Sequence, residues 1–338
     1  MACVCAYAAE PISVAAVGDI MMGTTFPKDL LPPDDGTGIF DHVKHEFIGH
    51  DIVFGNLEGP LIDEGEPRKC KNGGMNCYEF RTPTRYASHL RDAGFSVMNI
   101  ANNHASDFGI EGIESTVSAL RSAGIHPLGG KLAATLNVRG KTIALVGFST
   151  STSTPYSYSV LDIAGAQRIV SELKDGNDLV IVSFHGGAEG KAAQHVSDQD
   201  ELYAGEKRGN VIRFSKAVID AGADMVIGHG PHVLRAMELY KGKLILYSLG
   251  NFLGYERFNI SGPSGESVIL KAKIDSETGD FLEAEVVPVR LVNNGIPEKD
   301  PDKKGIGILK TLSGEDIQNP GLEISDDGMV SLLGGKSE

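Results

Sequence analysis

Ala-Gly-Ala-Asp-Met-Val-Ile-Gly-His-Gly-Pro-His-Val (221–233) compresses the logic of the chain into one run. An Ala-Gly pair stops a helix-patterned stretch, a brief apolar run follows, and two histidines stand just beyond it. Pro231 fixes its own φ and biases Gly230 toward extended backbone, so both imidazoles sit on a stiff loop. A short Val/Ile/Leu run of this kind reads as a strand buried on both faces.

The same pattern recurs on either side. Apolar runs fall at 12–17, 52–54, 97–101, 143–148, 179–184, 225–227 and 244–249. Between several of them, residues 84–93, 110–123, 166–173 and 211–221 carry apolar residues at three- and four-residue spacing. This alternation predicts an α/β domain, its sheets covered by helices. From Val268 the pattern changes to two strand-like runs, 268–274 and 281–290, separated by Ser-Glu-Thr-Gly-Asp, which read as a hairpin.

The polar residues fall where the apolar runs end. Asp19 follows Val17-Gly18; Asn56 and Glu58 follow Phe54-Gly55; Asn102, Asn103 and His104 follow Ile100-Ala101. His185 follows Phe184, His229 and His232 follow Ile227-Gly228, and Asn251 follows Leu249-Gly250. A small residue often intervenes, as if to let the backbone turn. Ligands of open α/β sheets bind beyond the carboxyl ends of strands. Parallel neighbours would bring these side chains to one rim, and carboxylate, amide and imidazole are what divalent metals choose. Taken singly, each has a plainer reading: Gly18-Asp19 as a turn, His185 as a hydrogen-bonded core histidine.

The chain has 338 residues, 31 Lys+Arg against 45 Asp+Glu, and a formal charge of −14. That length supports a sizeable core in one domain, and the acidic balance argues against nucleic acid or an anionic membrane as the main partner. No uncharged apolar stretch reaches the ~18 residues of a membrane span. Residues 1–10, MACVCAYAAE, read as a signal-peptide remnant: Ala6-Tyr7-Ala8 fits the A-x-A cleavage pattern, although a positive n-region is missing. The alternative is the disordered start of a cytosolic protein. Cys70 and Cys77 flank a polar, Gly-rich loop that can fold back, so an oxidising compartment would pair them; two cysteines alone make a poor zinc site. Residues 11–292 then form the main domain, and 293–338 a polar, loosely packed extension.

In order and composition these segments resemble the bacterial capsule-synthesis CapA family of poly-γ-glutamate biosynthesis, a branch of the calcineurin-like metallophosphatases. The resemblance rests on Val-Gly-Asp-Ile-Met-Met (17–22), Gly-Asn-Leu-Glu-Gly-Pro (55–60) and Ala-Asn-Asn-His-Ala-Ser-Asp-Phe-Gly (101–109). Ser-Phe-His-Gly-Gly-Ala-Glu (183–189), the opening stretch, and Tyr-Ser-Leu-Gly-Asn-Phe (247–252) complete it. It implies a four-layer α/β/β/α sandwich with mixed sheets and a centre of one or two divalent ions (Mn, Fe or Zn). By the same resemblance Asp19, Glu58, Asn103, His185, His229 and His232 are the metal ligands. His104 is the acid beside the scissile bond, oriented by Asp107, while Asn56, Asn102 and Asn251 hydrogen-bond to the ligands. Met21 stands where the wider superfamily has a histidine, and Glu58 where it has a bridging Asp, which puts the second ion in question.

Two functions follow as expectations: a phosphoester hydrolase acting outside the cytoplasm, or a non-hydrolytic accessory of polymer synthesis. Either would take a small anionic or polymeric substrate and associate with envelope-synthesis machinery. The polar run 189–209, with Lys191, Gln194, His195, Glu206, Lys207 and Arg208, reads as a solvated loop or as a substrate lid. In the lid reading Arg208, Glu189 and, from a facing loop, Arg81 bind substrate.

Overall fold

Every second residue along the apolar runs faces a different core. In the computed structural model, which describes residues 10–70, 77–129, 131–151 and 156–334, the runs become strands. Those that matter for the site are β1 (Ile12–Met21), β2 (Ile52–Leu57), β3 (Val97–Asn99), β4 (Leu179–His185), β5 (Met225–His229) and β6 (Asn251–Gly254). The hairpin is β7 (Glu266–Ile274) with β8 (Phe281–Val292). The helices are α1 (Ala87–Ala93), α2 (Gly109–Ser122), α3 (Ile163–Gly176), α4 (Val211–Asp220) and α5 (Lys304–Asp316).

Among the described residues the strands form two large mixed sheets. One runs β8–β7–β1–β2–β3 to the strand His126–Leu128, with β6 also paired to β1. The other runs from Met237–Tyr240 through Lys243–Leu246, β5, β4 and Lys141–Ser149 to Ala134–Val138. Ile12, Val14, Ala16, Ile52 and Phe54 of the first sheet pack against Leu179, Ile181, Met225 and Ile227 of the second. The alternate residues Ala15, Val17 and Val53 face Leu90 of α1 and Ile113 and Leu120 of α2. Val180, Val182 and Val226 face Val170 of α3 and Phe214 and Val218 of α4. Period-2 strands that are apolar on both faces therefore stack four layers, helix–sheet–sheet–helix, as expected from the sequence. Gly222 ends α4 at φ +111° and Asn210 caps its start by accepting the Arg213 N–H.

Three local expectations are corrected. The small residues before Asp19 and His229 do not turn the chain. A Cβ on Gly18 would stand 2.0 Å from the Gly250 carbonyl oxygen, and one on Gly228 2.4 Å from that of Tyr247, so these glycines admit a neighbouring backbone. Gly230 adopts φ +108° rather than extended backbone. Asn251 opens β6 in the first sheet instead of closing the strand Lys243–Leu246 in the second.

The stretch after Asn293 is not loosely packed. Ile306 and Leu309 of α5 enter the central core, and Leu322–Ile324 and Met329–Leu332 extend the first sheet beyond β8. Gly305 hid this helix from a propensity reading. It is there because a Cβ would lie 2.7 Å from the Ser267 carbonyl oxygen, where α5 crosses β7. The expected leader, residues 1–10, lies outside the described residues except for Glu10.

A buried carboxylate ties the edge of the first sheet to a preceding turn. Glu46, in the 3-10 turn Lys44–Phe47, accepts hydrogen bonds from Lys271 of β7 and, at 2.7 Å, from Lys299. Burial pushes its pKa up, but the two ammonium groups outweigh that and hold it at about 2, below its ordinary 4.5. A depressed folded pKa gives stability that is present above the unfolded value and lost as pH falls through the folded one. Glu46→Gln is expected to cost about 1–2 kcal/mol near neutrality. In urea titrations the gap to wild type should close as pH falls from 4.5 toward 2. A gap independent of pH would contradict the pairing.

Candidate metal centre

Strand register sets the site. In the first sheet Asp19 is paired with Asn251 on one side and Asn56 on the other, and Asn56 with Asn99, so one polar row crosses the strand ends. In the second sheet His229 is paired with His185, and His185 with Ser149. The two rows meet at the seam between the sheets. Glu58, just past β2, lies 2.7 Å through Oε1 from His185 Nε2, and His229 Nε2 lies 3.1 Å from the Val17 carbonyl oxygen. That carbonyl can only accept, so Nε2 carries the His229 proton and Nδ1 keeps its lone pair.

His232 closes the cage from the Gly-Pro loop. Its Nδ1 lies 2.9 Å from Asn251 Oδ1 and 3.1 Å from Asp19 Oδ2, and its Nε2 3.9 Å from Glu58 Oε2. Glu58, His185 and His232 each offer a ligand atom, all within 4.8 Å of one another. Asn56 knits the carboxylates together. Its Nδ2 donates to Asp19 Oδ1 (2.8 Å) and Glu58 Oε1 (3.2 Å), while its Oδ1 accepts from Asn99 (2.8 Å) and Asn102 (3.1 Å).

Charge in this pocket is ordered by sign. Burial pushes the Glu58 pKa up, yet His232 and then His185 outweigh it and hold the carboxyl well below its usual range. Burial pulls His232 down, but Glu58 and Asp19 outweigh it and push the ring up to about 10. His229, by contrast, is held below its ordinary value, chiefly by burial. Two buried carboxylates thus create a place where positive charge is favoured.

Buried polar atoms without hydrogen bonds are rare and ask for a partner. Five such atoms lie on the sequence-predicted ligands: Asp19 Oδ2, which faces His232 Nδ1 at 3.1 Å, Glu58 Oε2, Asn103 Oδ1, His185 Nδ1 and His229 Nδ1. Hard oxygens with borderline imidazole nitrogens fit a divalent cation of the Mn, Fe or Zn kind. Met21 is fully buried, and its sulfur accepts the Gly23 N–H at 3.2 Å instead of joining the cage.

Beside the cage, His104 Nδ1 is 2.8 Å from Asp107 Oδ2, which also accepts the Phe80 N–H. The Phe80 ring stacks on the imidazole at 4.4 Å between centroids, and Lys69 Nζ lies 3.5 Å from Asp107 Oδ1. Nδ1 thus faces both Asp107 and, at 3.2 Å, Lys69 Nζ, and Nε2 is left for another partner. His104 N–H donates to Asn102 Oδ1, and Asn102 donates to the Asn56 that holds Glu58, so the two sites adjoin. Cys70 and Cys77 are joined as a disulfide, Cα–Cα 5.7 Å, in the loop that carries Lys69 and leads to Phe80.

The lid cations sit elsewhere than the lid reading expects. Arg208 is buried, donates to the Gly187 carbonyl and pairs with Glu189, so it binds its own loop together. Glu189 is thereby occupied by Arg208. Arg81 donates to Thr25 and lies over Phe26 and Phe108. Sequence reasoning missed Asn99, Lys69 and Phe80. Asn99 had a signal: an amide inside an apolar run must be satisfied by polar neighbours.

Two facing mixed sheets flanked by helices, with polar rows at their seam, make the calcineurin-like metallophosphatase class of fold. Residues 13–256 match the family described as bacterial capsule synthesis protein PGA_cap, and the chain belongs to that family. Capsule biosynthesis protein CapA of Bacillus anthracis is 31% identical over 262 residues, covering 72% of this chain and 60% of that protein. The PGA biosynthesis protein CapA of Bacillus subtilis is 29% identical, covering 73% and 64%. The alignments thus span less than two thirds of those relatives. Among solved structures, a phosphatase from Mycoplasma pneumoniae superposes with TM-score 0.50 at 13% identity, over 87% of this chain and 96% of its own. A putative 5'-nucleotidase from Staphylococcus aureus gives 0.50 at 16% identity, over 90% and 58%. These structural likenesses establish the fold.

Asn56→Ala would strand one Asp19 oxygen and two amides in a closed pocket. It is expected to lower stability by about 2–3 kcal/mol in denaturant unfolding of chelator-treated protein. A change below about 0.5 kcal/mol, the scale of an ordinary surface substitution, would show the amide row to be dispensable.

Proposed function

We propose that this protein is a metal-dependent phosphoester hydrolase acting outside the cytoplasm, in capsule, poly-γ-glutamate or cell-envelope metabolism. The observation that carries the reading is the set of buried ligand atoms without hydrogen bonds, drawn from both sheets and adjoining an oriented His–Asp pair. Asp19, Glu58, Asn103, His185, His229 and His232 would hold one or two divalent ions. When bound, such ions acidify water and neutralise charge on a phosphoryl group.

The chain's own residues supply the rest. Asp107 and Phe80 hold the His104 ring by hydrogen bond and stacking, so that Nε2 can give a proton to the departing alkoxide. Asn56 and Asn251 fix the ligands before substrate arrives, and Asn102 acts through Asn56, which removes reorganisation from the reaction. The Cys70–Cys77 disulfide supports an oxidising compartment. No helix among the described residues is long and apolar enough to cross a membrane.

A second reading, a non-hydrolytic accessory that binds the anionic polymer through its metal site, is favoured by the names of relatives. A Mycobacterium tuberculosis protein, 27% identical over 71% of this chain and 66% of its own length, is called a probable polyglutamine synthesis accessory protein. Chromogenic phosphomonoesters and phosphodiesters with Mn²⁺, Zn²⁺ or Fe²⁺, beside a polyglutamate-binding assay, separate the two. Asp19→Ala should lose both bound metal and turnover. His104→Ala should keep its metal and lose about 10²–10⁴ in kcat. Equal metal loss in both variants would contradict this division of roles, and polymer binding without metal-stimulated hydrolysis would favour the accessory.

A further inference from the structure

A tight turn after β6 carries a guanidinium that has found aromatic rings and no acid. Arg257 lies over Tyr78 at 5.5 Å and over Phe80 at 5.4 Å from the ring centroids. Its Nε is buried without a hydrogen bond, and among the described residues no carboxylate pairs with it. The two buried arginines behave differently. Arg235 chelates Glu201 through both Nη atoms, and Arg208 pairs with Glu189.

The turn is held firmly. Tyr255 N–H donates to the Met21 carbonyl, Gly254 N–H to that of Gly295, and Glu256 N–H to that of Asn294. Gly254 leaves room for Phe258, whose ring a Cβ there would meet at 2.5 Å or less. Phe258 in turn lies 5.0 Å from the His232 ring, while Phe80 stacks on His104. The same short segment therefore touches the cage through Phe258 and the His104 pair through Phe80. Tyr78 is about half exposed, and so is Tyr203 of the hairpin strand Glu201–Tyr203. Arg257 thus stands half-buried on an aromatic rim beside the site, its Nε buried and its guanidinium without a carboxylate among the described residues.

We propose that Arg257 is the substrate's second anchor: it binds a non-reacting oxyanion, carboxylate or phosphate, on the part of the substrate remote from the bond that is cleaved. A guanidinium preorganised by stacking presents two parallel donors to such a group, which an ammonium cannot do. The kinetic form of this inference rests on the hydrolase reading; its binding form does not.

The test uses the full Mn²⁺-loaded chain, Arg257→Gln and Arg257→Lys, with phenyl phosphate and its 4-carboxy and 4-phosphate derivatives. For the doubly anionic substrates Arg257→Gln should raise KM about 10- to 100-fold, the scale of a lost charge-assisted contact, with kcat and metal content unchanged. Phenyl phosphate should shift less than about twofold, and Arg257→Lys should recover only part of the loss. Which derivative suffers more tells a carboxylate from a phosphate anchor. Equal KM changes on all three substrates, or none, overturn the proposal. If the wild type cleaves nothing, the hydrolase reading fails and calorimetry with a tri-γ-glutamyl peptide decides the anchor. A loss of about tenfold or more in affinity for Arg257→Gln, at unchanged melting temperature, supports it. Unchanged affinity, or no binding by the wild type, overturns it.

Discussion

Carboxylates on one sheet and imidazoles on the other, buried together at the seam, are the constraint around which this molecule is arranged. Asp19 and Glu58 come from β1 and the end of β2, His185 and His229 from the ends of β4 and β5. Each row alone would leave uncompensated polar groups in the interior, which is costly. Facing each other, they are partly compensated: Glu58 meets His185, and His232 lies between Glu58 and Asp19. The compensation stops short, because each of these groups except His232 keeps a buried atom without a hydrogen bond. A polar centre that is assembled but not fully satisfied by the chain is what a cation site requires.

The surrounding structure serves to hold that arrangement still. Asn56 uses both amide hydrogens and its oxygen to bind Asp19, Glu58, Asn99 and Asn102 into one network. Gly18 and Gly228 let backbones approach where any side chain would collide. The His104–Asp107 pair is fixed by the Phe80 N–H and ring, and Arg81 braces the same loop through Phe108. Disulfide, aromatic rim and the anchored Arg257 turn then frame the approach to the cage.

Much of this could be read from the chain. Apolar runs closing on Asp, Asn, Glu or His gave the strands, and five of the six side chains expected as ligands, all but His232, keep a buried atom without a hydrogen bond. What escaped was set by tertiary contacts. Whether glycines such as Gly18 turn a chain or admit a neighbour depends on what lies across from them. Asn251 looked like the end of one strand because Leu244 to Leu249 is continuous in apolar character, yet it starts another in the opposite sheet. The helix α5 was masked by its glycines and charges although Ile306, Leu309 and Leu312 have helical spacing. Arg257 carried no local signal at all, since its significance comes from Tyr78 and Phe80, far away in sequence.

Anomalous scattering from crystals of Mn²⁺-loaded protein interrogates the central claim most directly. The account expects a peak at the seam between the sheets, within coordination distance of Glu58 and His185 and bordered by Asp19 and His229. Manganese bound only elsewhere, or a seam that stays without a peak at saturating metal, would contradict it.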